Sequence, residues 1–152
     1  MLERNLSTLP YFLTSFIGRK EEVRTLEALI DTRQLVTVTG FPGVGKTRLS
    51  VEVAGKVERR FQEGVRFISL EGVVDLPTAI RATASALPLS ADKGQELKKQ
   101  LFDALSDCDM LLVLDAAEEV LSDEFANWIS NLLHLNRSLR LLVTSQRPIG
   151  LY

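Results

Sequence analysis

The chain has 152 residues, 45% of them hydrophobic, which is enough for one domain whose core needs no metal or disulfide staple. Its 18 basic and 20 acidic residues give a net charge of −2, and no Lys/Arg block is long enough to form a nucleic-acid footprint. The only cysteine, Cys108, excludes a disulfide framework and a C-x-x-C metal or redox pair. We therefore expect a cytoplasmic domain that does not bind nucleic acid directly and in which Cys108 is a small buried hydrophobe.

An apolar stretch near the N-terminus, Leu9 to Ile17, weakly imitates a secretory signal. Pro10 interrupts it, Glu3 precedes it and no small-residue cleavage site follows it, so we expect no secretion. No apolar run approaches the ~20 residues that a transmembrane helix requires, and we expect no membrane partner. We interpret residues 1–19 as an extended lead and residues 20–152 as the core of the domain.

Apolar residues recur with helical spacing in some segments and form short continuous runs in others. The predicted elements are, in chain order, an amphipathic helix over about 20–32, a strand over 35–39, a helix over 48–60, a strand over 65–70, a helix from Asp75 to Leu87, a polar connection over 90–94, a helix from Leu97 to about Asp107, a strand over 110–114, a helix capped by Ser122 or Asp123, and a strand over 139–144. Strands that alternate with helices imply right-handed crossovers and a parallel sheet. The sequence therefore predicts an α/β fold with three layers.

The segment from Gly40 to Thr47, GFPGVGKT, fits the phosphate-loop pattern G-x-x-x-x-G-K-[ST] without a mismatch. It lies between a predicted buried strand and a predicted helix, which is the setting that this motif needs. Its small residues let the backbone bend so that successive N–H groups converge on an anion, and the helix adds the positive end of its dipole. The residues that we assign to phosphate binding are Gly43, Val44, Gly45, Lys46, Thr47 and Arg48.

Side chains at two places are predicted to complete the site. Lys46 would reach the β- and γ-phosphates, and the Thr47 hydroxyl would ligate Mg²⁺. Asp115 ends a near-continuous apolar run and would hold Mg²⁺ through water opposite Thr47; the other interpretation is a carboxylate that caps the next turn. Because Ala116 follows it, a base or water-positioning group must come from elsewhere, and Glu118 is the candidate catalytic residue.

Ligands of parallel sheets bind at the carboxyl ends of the strands. The phosphate loop, Asp115 and the segment 144–147 each follow a predicted strand, so all three are expected at that one edge of the sheet. This convergence of polar elements is the fold-level support for a phosphate site.

Short motifs over most of the chain add a resemblance to a known family. They are FIGR at 16–19, LVTVTG at 35–40, GVGKTRL at 43–49, LVLD at 112–115 and LVTS at 142–145. Together they resemble the nucleotide-binding domain of STAND signal-transduction ATPases, a group that includes the NB-ARC proteins and the large LuxR-type bacterial regulators. The resemblance implies binding of ADP or ATP and of Mg²⁺.

The resemblance also implies roles for individual residues. Ile17, Gly18 and Arg19 match an element that contacts the adenine side of the nucleotide in such proteins. An arginine after the fourth strand senses the γ-phosphate there; Gln146 holds that position in this chain and Arg147 follows it, so Arg147 is the candidate here. Family members continue into a fifth strand, a helical lid and a winged-helix domain, so this segment is expected to be the core of a larger switch, lacking those domains.

By the same resemblance, strand 35–39 lies between the fourth strand and a fifth strand beyond residue 152, and it is left as an edge in this segment. Apolar edges pair with other strands that they meet. We expect either self-association of the isolated chain or pairing of the N-terminal segment Leu9 to Ile17 with this edge.

Three functions from different classes fit these observations. The first is a regulatory switch that binds ADP or ATP with Mg²⁺ and hydrolyses ATP slowly or not at all. The second is an active ATP hydrolase that uses Glu118, and the third is a P-loop scaffold or oligomerisation module. The chain contains no N-K-x-D guanine-reading element, which favours adenine as the base.

Overall fold

The computed structural model describes residues 8–89 and 96–150. Its elements are α1 (Lys20–Thr32), β1 (Leu35–Thr39), α2 (Lys46–Val57) with a short 3-10 turn (Glu58–Arg60), β2 (Val65–Ser69), α3 (Leu76–Ser85), α4 (Leu97–Leu105), β3 (Leu111–Asp115), α5 (Asp123–Leu135) and β4 (Arg140–Ser145). Every predicted helix and strand is present, with ends that differ by at most three residues from the predicted ones. The predicted polar connection over 90–94 and the first residues of the extended lead lie outside the described residues.

The four strands form one parallel sheet in the order β1-β4-β3-β2. The side chains of β3 are buried on both faces, because Leu112 and Leu114 face one core while Leu111 and Val113 face the other. Helices α3, α4 and α5 cover the first face, and α1 and α2 cover the second. The predicted three-layer α/β fold is confirmed.

Two helices begin at side-chain caps that the sequence indicated. The carboxylate of Asp75 accepts a 2.8 Å hydrogen bond from the Thr78 amide at the start of α3, and Thr78 holds the pKa of Asp75 below its ordinary value. At the start of α5 the Ser122 hydroxyl accepts a bond from the Phe125 amide, so Ser122 rather than Asp123 is the cap. These caps satisfy backbone donors that would otherwise lack a partner.

The aromatic residues of α5 belong to the core, as their helical spacing predicts. Phe125 is fully buried and Trp128 is 2% exposed, and their ring centroids lie 5.7 Å apart. Cys108 is also buried, and desolvation raises the pKa of its thiol to about 12, so it is the small hydrophobe that the sequence predicted. No helix in residues 8–89 and 96–150 is long and apolar enough to cross a membrane.

Strand β1 lies at an edge of the sheet and pairs with β4, as the resemblance implied. The suggestion that the N-terminal segment covers this edge is wrong. Leu9 instead packs beside Gly55 of α2, and the Thr8 hydroxyl accepts a 2.9 Å bond from the Phe67 amide in β2, at the opposite edge. In this arrangement Leu9 and Phe16 are partly buried against the core under α1 and α2.

The open edge leads to a prediction about association. We expect the isolated chain to self-associate with rising concentration, because β1 presents backbone groups and apolar side chains to a second strand. Thr37→Lys places a charge on this edge and should weaken the association, whereas Thr32→Lys at the exposed end of α1 should not. Light scattering over a concentration series measures both effects. A monomer at every concentration would contradict the prediction.

Candidate functional site

The phosphate loop joins β1 to α2 at the carboxyl edge of the sheet. Gly43 and Gly45 have φ angles of 80° and 89°, which other residues adopt only at a cost in backbone strain. The first helical hydrogen bond of α2 runs from the Leu49 amide to the Gly45 carbonyl, and no side chain in the described part of the chain caps this helix. The N–H groups of the first turn are therefore open to an anionic ligand.

Lys46 begins α2, and its ammonium group lies over the loop. Its Nζ donates hydrogen bonds to the carbonyl oxygens of Gly40, at 2.8 Å, and Phe41, at 2.9 Å. Among the described residues no carboxylate forms an ion pair with Lys46. The positive charge is thus held by neutral groups and is available to a phosphate.

Thr47 and Asp115 meet where α2 and β3 approach each other. The Thr47 Oγ1 lies 2.9 Å from both carboxylate oxygens of Asp115, whose residue is 6% exposed. Thr144 in β4 donates a 2.6 Å bond to Oδ1 of Asp115 and accepts a 2.9 Å bond from the Ala116 amide. One hydrogen-bond network centred on the Asp115 carboxylate therefore joins α2, β3 and β4.

The oxygen atoms of Thr47 and Asp115 are of the kind that Mg²⁺ prefers as ligands. Mg²⁺ prefers oxygen ligands and is commonly held by one or two protein groups together with phosphates and water. Thr47 and Asp115 supply a hydroxyl and a carboxylate side by side, and the described residues contain no cluster of three or more His, Cys, Asp or Glu that would form a closed metal site. The residues present suit a cation that arrives with a phosphate ligand.

The three residues assigned to the adenine side lie just before α1. Ile17 is 86% exposed, and Gly18 has a φ of 83°. The guanidinium of Arg19 turns toward the phosphate loop, where Nη1 donates to the carbonyl of Val44 at 2.8 Å and more weakly to that of Gly45 at 3.4 Å. Sequence reasoning did not foresee this contact between Arg19 and the loop.

Arg48 connects the site to the N-terminal segment. Its guanidinium donates to the hydroxyl and the carbonyl of Thr14, and it lies 4.8 Å from the centre of the Phe12 ring. The backbone N–H of Arg48 still belongs to the open first turn of α2. The side chain of Arg48 thus contacts the N-terminal segment, while its main-chain N–H lies at the phosphate loop.

The remaining candidates are less closely connected with the loop. Ala116 follows β3 with a φ of 59°, and the half-buried Glu118 lies in the turn after it. Arg147 is exposed beyond β4, where its amide bonds to the Ser145 hydroxyl at 3.3 Å. Within the described residues, the structure records no hydrogen bond from Glu118 or from the Arg147 side chain to the phosphate loop or to Asp115.

A cavity elsewhere in the molecule is separate from this site. It has a volume of about 730 Å³, lies between α3, α4 and α5, and its lining includes Ile80, Leu97 and Trp128. No residue of the phosphate loop lines it. The phosphate site instead lies at the carboxyl ends of the strands, which is where ligands of parallel α/β folds bind.

A four-stranded parallel sheet whose edge carries this phosphate loop, with a Thr and an Asp facing each other, defines the class of P-loop NTPase domains. Residues 29–149 match the AAA domain family, and the chain belongs to that family. It follows that the domain is of a nucleotide-binding type.

Proteins of Mycobacterium tuberculosis and Streptomyces griseus are similar to this chain in sequence. An uncharacterized protein of Mycobacterium tuberculosis is 35% identical over 91% of this chain, and the match covers 35% of that protein. A protein of the same species that is named as an HTH-type transcriptional regulator is 33% identical over 83% of this chain and 14% of its own length. The regulatory protein AfsR of Streptomyces griseus is 29% identical over 73% of this chain. The chain spans at most about a third of the length of these relatives.

Two solved structures share the fold. Cdc6p of Pyrobaculum aerophilum superposes with a TM-score of 0.68 over 91% of this chain and 41% of its own, at 17% identity. PCH-2 of C. elegans gives a TM-score of 0.52 over 87% of this chain and 38% of its own, at 15% identity. At these identities the likeness concerns the fold alone.

Proposed function

We propose that this chain is the nucleotide-binding core of a STAND-class regulatory switch, in which it binds ADP or ATP together with Mg²⁺. The observation that carries the proposal is the pairing of an open phosphate loop with the network of Thr47, Asp115 and Thr144 at the same sheet edge. In that role the N–H groups of the loop and of the first turn of α2 bind the β-phosphate, and Lys46 neutralises phosphate charge. Thr47 and Asp115 would hold Mg²⁺, and the metal would supply positive charge that offsets the charge of the phosphates.

Two further observations support a regulatory role in a longer protein. Relatives of this chain are named as a transcriptional regulator and as a regulatory protein, and the match covers only 14% and 13% of their lengths. In this proposal residues 1–19 form an extended lead, residues 20–152 form the nucleotide-binding core, and further domains are its partners in a cytoplasmic protein. Nucleic-acid contacts would then come from other domains, because the charge of this chain is −2.

Calorimetry with ADP, ATP and GTP, each with and without Mg²⁺, tests the proposal. We expect ADP and ATP to bind, Mg²⁺ to strengthen the binding of ATP, and GTP to bind more weakly. If none of the three nucleotides binds, the phosphate loop serves the fold alone. The open edge of β1 would then favour the second candidate, a scaffold or oligomerisation module.

We expect ATP turnover by this chain to be slow, well below the ~1 s⁻¹ floor of ordinary enzymes. Ala116, next to Asp115, supplies no carboxylate, and hydrolysis requires a group that positions the attacking water. Steady-state phosphate release measures the rate. A faster rate that is lost in Glu118→Gln but kept in Glu119→Gln, its exposed neighbour, would establish the hydrolase alternative instead.

A further inference from the structure

Arg19 contacts carbonyl oxygens of the phosphate loop and not the N–H groups that would bind a phosphate. We infer, on the basis of the proposed function, that Arg19 is a positioning residue that fixes the loop through the carbonyls of Val44 and Gly45. Its Nη1 donates to these oxygens at 2.8 and 3.4 Å. The role differs from the contact with the adenine side that the sequence resemblance implied.

The geometry of a phosphate loop explains why such a residue is useful. When successive N–H groups converge on an anion, carbonyl groups of the same peptides point outward and need partners of their own. Arg19 supplies a charged donor to the Val44 carbonyl at 2.8 Å. At 3.4 Å it adds a second donor to the Gly45 carbonyl, which already accepts a bond from the Leu49 amide. A cation behind these carbonyls also polarises the peptide groups in the direction that favours an anion in front of them.

The guanidinium of Arg19 is also fixed by a second partner, Glu22. Glu22, in the first turn of α1, binds it in two places, with Nη2 to Oε2 at 2.8 Å and Nε to Oε1 at 3.2 Å. This arrangement uses the planar fork of arginine and leaves Nη1 directed at the loop. The side chain is 33% exposed, so the contact is partly shielded from solvent.

Backbone conformation at both ends of the contact fits the same role. Gly18 and Arg19 have φ angles of 83° and 55°, and these consecutive left-handed residues turn the chain as α1 begins. On the loop side, a Cβ added to Gly45 would lie 3.0 Å from Nη1 of Arg19. Glycine at this position therefore serves the close approach of Arg19 as well as the positive φ of the loop.

The experiment distinguishes a role of Arg19 in fixing the phosphate loop from a role in contacting the adenine base. NMR order parameters of the amides from 43 to 46 are measured without ligand, and affinities for ADP and for inorganic tripolyphosphate are then measured by displacement of a fluorescent ADP analogue. We expect Arg19→Gln to lower the order parameters and to weaken ADP and tripolyphosphate by the same factor, about tenfold. Arg19→Lys should show the same losses of order and of affinity, because an ammonium cannot bridge Glu22 and the loop as a guanidinium does. Arg24→Gln, which breaks the exposed ion pair with Glu21 on the same helix, should leave both at wild-type values.

Two results would overturn the inference: unchanged order parameters in Arg19→Gln, or a loss of ADP affinity with tripolyphosphate affinity unchanged. The second result would place Arg19 on the nucleoside. Failure of the wild-type protein to bind any nucleotide would refute the proposed function, and the order parameters of the ligand-free loop would still decide whether Arg19 fixes it.

Discussion

Lys46→Ala should abolish measurable binding of ADP and ATP while leaving the fold intact. The ammonium group lies 2.8 and 2.9 Å from two loop carbonyls and has no carboxylate partner among the described residues, so its charge is free to serve a phosphate. Charge-assisted hydrogen bonds of this kind contribute roughly 1.5–3 kcal/mol each, and two of them account for a loss of at least a hundredfold.

Stability should change little in this variant, because the freed carbonyls of Gly40 and Phe41 lie in a loop that water can reach. Calorimetry gives the affinity and thermal unfolding gives the stability. Lys56→Ala, in the exposed last turn of the same helix, is the matched control and should bind ADP normally. Equal ADP affinity in wild type and Lys46→Ala would show that the phosphate loop is not the site.

Asp115→Asn should remove the gain in ATP affinity that Mg²⁺ provides, with a loss of about tenfold or more in the presence of the metal. The amide keeps the size of the side chain and can still accept a bond from Thr144 and contact Thr47, so the buried network survives without its negative charge. Affinity without Mg²⁺ should remain equal to that of the wild type or rise slightly, because a negative charge near the phosphates has been removed.

The measurement is a titration of ATP at several Mg²⁺ concentrations, with Asp103→Asn on the exposed face of α4 as the control. If Asp115→Asn responds to Mg²⁺ as the wild type does, Asp115 only caps its turn and the metal site lies elsewhere. Thermal unfolding of both variants shows whether the network has been preserved.

Sequence patterns predicted the helices, strands and sheet type because these depend on local spacing of apolar residues. The loop from Gly40 to Thr47 was identifiable since its pattern is contiguous, and β3 was identifiable from its unbroken apolar run. The start of α2 was placed two residues late, because Lys46 and Thr47 belong both to the motif and to the first turn of the helix. Such boundaries depend on backbone geometry that composition does not encode.

Contacts between distant segments were beyond what the sequence could show. The position of Thr144 at the end of a buried strand was known, but its bond to Asp115 depends on β4 lying beside β3. The bond of Arg19 to Val44 depends likewise on how α1 meets the loop, and the course of Leu9 depends on the cleft that α2 offers. In each case tertiary packing determines which of several chemically possible partners the side chain contacts.

The place of β4 in the sheet has a consequence for the synthesis of the chain. Leu35 of β1 pairs with Leu141, 106 residues later, and the Gly40 amide bonds to the carbonyl of Ser145 at 3.3 Å. Closing so long a loop is entropically costly and slow. A ribosome therefore releases the residues of the phosphate loop long before β4, the strand that pairs with β1. On the proposed function, we expect the nascent chain to bind its nucleotide only after β4 has emerged.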